Sequence, residues 1–159
     1  MLNEMTELAF LQFETDFVES LRCIPMIIRM KLDTCRVKLK LEHWNQFTQS
    51  ERQSLVTMSC NSDREIVEYR EYLQNLVIAK TGKPAKELAM APDPSWLNRN
   101  KIPEVLKTKA EESKIAISLQ QWSNLTPLQR FALIKLSRPS HENRNFIPAL
   151  KEFGIIREE

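Results

Sequence analysis

The stretch IPMIIRMKLDTCRVKLKLEHWNQFTQSERQSLVTMSC, residues 24–60, returns as IPEVLKTKAEESKIAISLQQWSNLTPLQRFALIKLSR, residues 102–138. No gap is needed to align the two. Ile24 falls on Ile102, Pro25 on Pro103, Lys31 on Lys109, Leu41 on Leu119, Trp44 on Trp122, Thr48 on Thr126, Arg52 on Arg130 and Leu55 on Leu133, at a constant offset of 78. Between these identities stand similar pairs, such as Ile27 with Val105, Val37 with Ile115, Leu39 with Ile117 and Phe47 with Leu125. Apolar period and helix start signals are kept together, which reads as a duplicated helical unit. The offset is too long for a solenoid and two copies are too few. The expectation is one mainly all-α domain over residues 1–159 with two pseudo-symmetric halves. The first repeat covers about 24–80, a linker about 81–101, and the second repeat about 102–154.

Local chemistry fills in the elements. Ile24, Ile27, Ile28, Leu32 and Cys35 share one helical face, with Arg29, Lys31 and Arg36 directed elsewhere. Pro25 suits a first helical position, where its missing N–H is no loss. Val37, Leu39 and Leu41 alternate with Lys38 and Lys40, the period of an extended segment. Ile115, Ile117 and Leu119 alternate in the same way with Ala116 and Ser118. A two-fold relation between the halves would bring 37–41 and 115–119 together as a very short antiparallel ribbon. Thr48 with Glu51, Thr126 with Gln129, and Ser62 with Glu65 read as capping boxes. The last opens a helix through Tyr69, Leu73 and Val77 that Gly82 ends. Phe10, Phe13, Phe17 and Leu21 recur at three and four residues, and with Thr15 as its cap a short helix is expected to run to about Arg22. Trp96 is expected to pin the proline-bearing linker, and Pro148 to kink or restart the last helix.

Composition excludes several classes of function. A net charge of +2 gives no whole-chain electrostatic case for nucleic acid or a membrane surface. The apolar run Cys23 to Ile28 is broken by Pro25 and stopped by Arg29, far short of the roughly 20 residues a spanning helix needs. No basic n-region precedes an apolar stretch, so a cytoplasmic protein with reduced thiols is expected. Only Gly82 and Gly154 are present, which leaves no glycine-rich cradle for a dinucleotide or nucleoside triphosphate. No resident cofactor is expected.

Three constellations remain as candidate chemistry. Cys23, Cys35 and Cys60 with His43 hold the residue types of a metal or iron–sulfur site. Their spacing matches no close-paired zinc motif, and Cys35 lies on an apolar face as a core thiol would. His141 and Glu142 near Arg138 form a polar cluster that suits either acid–base chemistry or a helix start. Arg22, Arg29, Arg36, Lys38 and Lys40 belong to a basic run that suits an acidic partner or a pyrophosphate, or else a solvated helix face. Positions needed for folding should be filled in both copies, yet Arg22, Lys38 and Lys40 are replaced by Asn100, Ala116 and Ser118. That asymmetry favours contact with a partner.

The run Phe13-Glu14-Thr15-Asp16-Phe17-Val18-Glu19-Ser20-Leu21-Arg22-Cys23-Ile24-Pro25-Met26, with Val37-Lys38-Leu39-Lys40-Leu41 and Trp44, resembles the nitrate reductase-associated protein family of cyanobacteria and other bacteria. The stretch Leu125 to Leu136, followed by Ser140-His141-Glu142-Asn143, is similar to the same family's C-terminal half. The family pattern has glycine at the position of Arg36 and proline at that of Ser59, so the chain departs from it at two turns. The resemblance implies a non-catalytic accessory or maturation factor for assimilatory molybdenum nitrate reductase. Its partners would be the apo or holo enzyme and the molybdenum-cofactor machinery, with no nucleic acid and no membrane. The rival reading is a small metal- or pterin-binding enzyme or carrier that uses Cys23, Cys35, Cys60 or His43. The residues assigned to partner binding are Arg22, Arg29, Arg36, Lys38, Lys40, Arg138, His141 and Glu142.

Overall fold

A computed structural model describes residues 11–14, 24–89, 94–138 and 144–157, and among these the chain is mainly helical. The helices are α1 (Met26–Cys35), α2 (Leu41–Gln46), α3 (Gln49–Thr57), α4 (Asp63–Thr81), α5 (Glu104–Glu112), α6 (Leu119–Asn124), α7 (Pro127–Ser137) and α8 (Phe146–Glu152). Strands β1 (Val37–Lys38) and β2 (Lys86–Glu87) form a minimal antiparallel sheet. The chain divides into two compact units, Met1–Asp93 and Pro94–Glu159. No helix among the described residues is long and apolar enough to cross a membrane.

In the first unit α4 is the floor on which α1 and α2 pack, with α3 against α1. Tyr69, Leu73 and Val77 recur at four-residue spacing along α4 and are fully buried, together with Ile28, Cys35 and Leu55. The expected caps form here. The Thr48 hydroxyl accepts from Glu51 N–H at 3.1 Å while the Glu51 carboxylate accepts from Thr48 N–H at 2.8 Å. Ser62 and Glu65 do the same, and Gly82, at φ 85°, closes the C-terminus of α4. The start of α1 is held by a group the sequence did not single out. Pro25 is its N-cap, and the buried Glu14 carboxylate accepts from Met26 N–H at 2.9 Å. A negative charge is well placed at that positive helix end. The expected Thr15 cap and the helix expected to run from it to about Arg22 lie outside the described residues; Gln12–Glu14 is a short 3₁₀ turn.

In the second unit α7 is the central element, packed by α5, α8 and the turn Ser95–Leu97. Phe131, Ala132, Leu133, Ile134 and Leu136 are all buried, as expected of a helix covered on several sides. Thr126 and Gln129 cap it reciprocally, with Pro127 at the first position. Trp96 meets Phe131 edge-on at 5.0 Å, and its carbonyl accepts from Arg130 Nε. Pro148 falls in the first turn of α8, so this helix restarts at Phe146 and needs no kink.

Residues related by the 78-residue offset take matching local settings within their own units. Trp44 and Trp122 are buried, and the guanidinium groups of Arg52 and Arg130 lie 5.4 and 5.8 Å from their ring centres. Arg36 and Lys114 adopt φ of 60° and 58°, the left-handed conformation that glycine takes freely and other residues seldom do.

The expected ribbon between 37–41 and 115–119 does not form. Val37 pairs instead with Glu87, and Lys38 with Lys86, from the stretch read as linker. The reason lies in contacts that the alternation does not reveal. The Gln74 amide accepts from Ala85 N–H at 2.8 Å and donates to Ala85 C=O at 2.9 Å, which holds the segment before β2 against α4. Leu88 N–H donates to Arg36 C=O at 2.8 Å, and Ala85 and Val37 are buried beside one another's strands. Residues 115–118 carry no strand; Ile115 N–H turns back to Ala110 C=O at 2.8 Å to close α5. The extended segment also ends sooner than expected, because Leu41 already begins α2 and is exposed rather than facing the core.

Candidate functional site

The basic run Arg22 to Lys40 divides into cations that work inside the fold and cations that face outward. Lys31 belongs to the first group, contrary to the expectation that it points away from the core. It is only 9% exposed, and its ammonium donates to Val56 C=O at 2.6 Å and Met58 C=O at 2.7 Å. These carbonyls end α3, where a positive charge meets the negative pole of the helix. The ammonium also lies 5.7 Å from the centre of the Tyr69 ring. Among the described residues no carboxylate pairs with it. Burial lowers the Lys31 pKa, and the nearby Cys60 opposes that shift.

Around Lys31 sit both described cysteines. Cys35 is fully buried and its thiol lies 3.8 Å from Leu32 C=O, while the buried Cys60 thiol lies 4.0 Å from Lys31 C=O. Burial pushes Cys35 up to about 12, with the neighbouring Cys60 adding to the rise, and burial raises Cys60 as well. Both are therefore thiols rather than thiolates at neutral pH, and the thiolate is the nucleophile and metal ligand. Tyr69 donates its hydroxyl to Leu55 C=O at 2.9 Å, and Arg70 Nε to Cys35 C=O at 2.8 Å. The Lys31 ammonium, the Tyr69 hydroxyl and Arg70 Nε are thus all taken up by backbone carbonyls.

The ligand set of the rival reading is not assembled among the described residues. His43 stands at the start of α2, where Nδ1 accepts from Lys40 N–H at 3.1 Å. Cys23 is outside the described residues, among which no three of His, Cys, Asp and Glu are placed to share a metal.

Of the residues assigned to a partner, Arg22, His141 and Glu142 also lie outside the described residues. Arg29 is half-buried and donates to Ile24 C=O at 3.0 Å, bracing the turn into α1. Arg36 is the left-handed C-cap of α1. Arg138 is exposed at the end of α7 in the second unit. Lys38 and Lys40 are exposed, whereas Val37 and Leu39 between and before them are buried. Both lysines therefore stand on the solvent side of one short extended segment. Lys40 lies 3.8 Å from Glu42, its side chain 63% exposed, so that pair contributes little.

Two participants were missed. Lys86 stands directly opposite Lys38 in the ribbon and is exposed; no periodicity points to it, because a two-residue strand leaves too short a pattern. Lys31 did carry a signal. It is matched by Lys109 at the 78-residue offset, and a residue type kept at both places marks a position that folding needs. Lys109 is half-buried and holds its ammonium 5.8 Å from the Phe146 ring centre, much as Lys31 does over Tyr69.

No curated protein and no solved structure is similar enough to the chain to match it. A family model does match, over residues 10–153, and its description is conserved nitrate reductase-associated protein. The chain belongs to this nitrate reductase-associated family.

Proposed function

We propose that the chain is a non-catalytic accessory or maturation factor for assimilatory molybdenum nitrate reductase, acting in the cytoplasm by protein–protein contact. The family's association with nitrate reductase supplies the partner. The observation that carries the contact is the placing of Lys38 and Lys40. Both are exposed on the first unit, and the copy at 102–138 has Ala116 and Ser118 in their places. Folding does without these charges in one unit, so their presence in the other is explained by something outside the chain. A catalytic role gains no comparable support, since Cys35 and Cys60 are buried and held protonated.

The matching backbone at Arg36 and Lys114, and the matching arginine–tryptophan pairs, support the further reading that the chain arose by duplication of one helical unit. In that history the second unit kept the scaffold, and the first carries the recognition charges.

Co-purification tests the function. The tagged chain is expressed with apo and with holo reductase, and the reductase is expected in the eluate with at least one form. Its absence from both would refute the proposal.

A further inference from the structure

The β1–β2 ribbon sets a lysine against a lysine. Lys38 and Lys86 are cross-strand partners, and side chains so placed have Cβ atoms about 5 Å apart. Like charges directly opposite are unfavourable in a sheet. Neither ammonium has an ion pair among the described residues. Lys40 adds a third exposed cation two residues along, still in extended conformation at φ −88° and ψ 154°. Glu87 alternates with Lys86 and so belongs to the other side of β2.

The backbone beneath these charges is held on both strands. Gln74 clamps the N–H and C=O of Ala85, Arg70 holds Cys35 C=O, and Leu88 N–H closes on Arg36 C=O. A partner meeting this ribbon would not have to order it first. The spacing also has a meaning. Alternate residues of an extended chain recur at roughly 6.5–7 Å, the spacing from Lys38 to Lys40, so a second extended chain can set carboxylates against both. Lysine ammonium groups are point charges on flexible stems and suit a row of single carboxylates; a fork for one fixed anion is the task of arginine.

We propose that the exposed face of the ribbon, Lys38, Lys40 and Lys86, is the docking site for an extended acidic segment of a partner protein with carboxylates at alternate positions. The inference rests on the accessory reading for the partner's identity, and it adds the recognition element and the chemistry it selects. The anion removes the repulsion between Lys38 and Lys86, so the fold gives up a little stability when free and recovers it when bound.

Fluorescence anisotropy on the full chain tests this, with a short labelled peptide of alternating Glu and Thr as the probe. The Gln–Thr counterpart is expected not to bind. The double variant Lys38→Ala/Lys86→Ala should weaken binding about tenfold or more at low salt, with a melting temperature equal to or above that of the wild type. Arg64→Ala removes the same charge from the same unit, roughly 15 Å along α4 from the Gln74 clamp; it should leave binding unchanged. Equal binding by the double variant, or equal weakening by Arg64→Ala, would overturn the ribbon as the site. Competition by inorganic pyrophosphate at concentrations similar to the peptide would assign the lysines to a small anion and overturn the acidic segment. The two readings fail separately. A chain that binds the peptide but never the reductase refutes the accessory role alone, whereas undiminished reductase binding by the double variant refutes the ribbon alone.

Discussion

Lys31→Met removes a buried cation while keeping most of the side chain's length and apolar stem. The ammonium makes two hydrogen bonds, to Val56 C=O and Met58 C=O, with partners that end α3. Hydrogen bonds from a charged donor contribute about 1.5–3 kcal/mol each, so the gross loss is about 3–6 kcal/mol. Two gains offset part of it, because methionine avoids the desolvation of a charge and buries a thioether in its place. The net destabilisation is then about 2–3 kcal/mol. At roughly 2–4 °C per kcal/mol for a chain of this size, the melting temperature should fall by about 5–10 °C. A pH dependence should vanish with it. Because burial lowers the folded-state pKa of Lys31, the unfolded chain holds that proton more tightly. Wild-type stability therefore rises with pH between the lowered value and the ordinary lysine range near 10.4, and the variant should lack that rise. Lys109→Met, which loses a half-exposed contact with Phe146, should cost under about 1 kcal/mol. Calorimetric melts from neutral to alkaline pH measure all three. A Lys31→Met variant as stable as wild type, with the alkaline slope intact, would refute the assignment of Lys31 to the closure of α3.

Three further outcomes follow from the fold. Trp44→Ala and Trp122→Ala each remove a buried side chain and should each cost about 3–5 kcal/mol in thermal or denaturant melts; a negligible shift for either would remove that tryptophan from its core. Arg36→Gly relieves a left-handed residue and should raise stability by about 0.5–1 kcal/mol, measured by urea unfolding, and a loss would mean that the half-buried side chain outweighs the backbone strain. Cys35 and Cys60 should resist alkylation by iodoacetamide in the native chain at neutral pH and react once it is unfolded, read by peptide mass; fast native labelling at either would contradict their burial and raised pKa.

What could be read from the sequence depended on how local its cause was. Capping boxes at Thr48, Ser62 and Thr126 are settled within four residues, and all three form where the residue types put them. Gly82 ends α4 for an equally local reason. The ribbon failed because its partner was chosen by Gln74 and Ala85, both distant from Val37 along the chain, and no alternation advertises strands of two residues. Lys31 was misplaced because helical period alone treats every lysine as solvent-facing; the carbonyls that receive it are brought close only by the packing of α1 on α3. The same division runs through the candidate site. Charge asymmetry between the aligned stretches pointed to Lys38 and Lys40, which are exposed, but not to Lys86, which has meaning only across the ribbon.

Association with the reductase through the first unit's lysines is the central claim, and calorimetric titration of purified reductase with the chain addresses it most directly. The wild type and Lys38→Ser/Lys40→Ser are compared at low and at physiological salt, with matched melts to confirm that the variant is folded. The account predicts heat of binding for the wild type, a dissociation constant at least about tenfold weaker for the variant at low salt, and a smaller difference at higher salt, where charge is screened over about 8 Å. Equal affinity of the two proteins at both salts would contradict it.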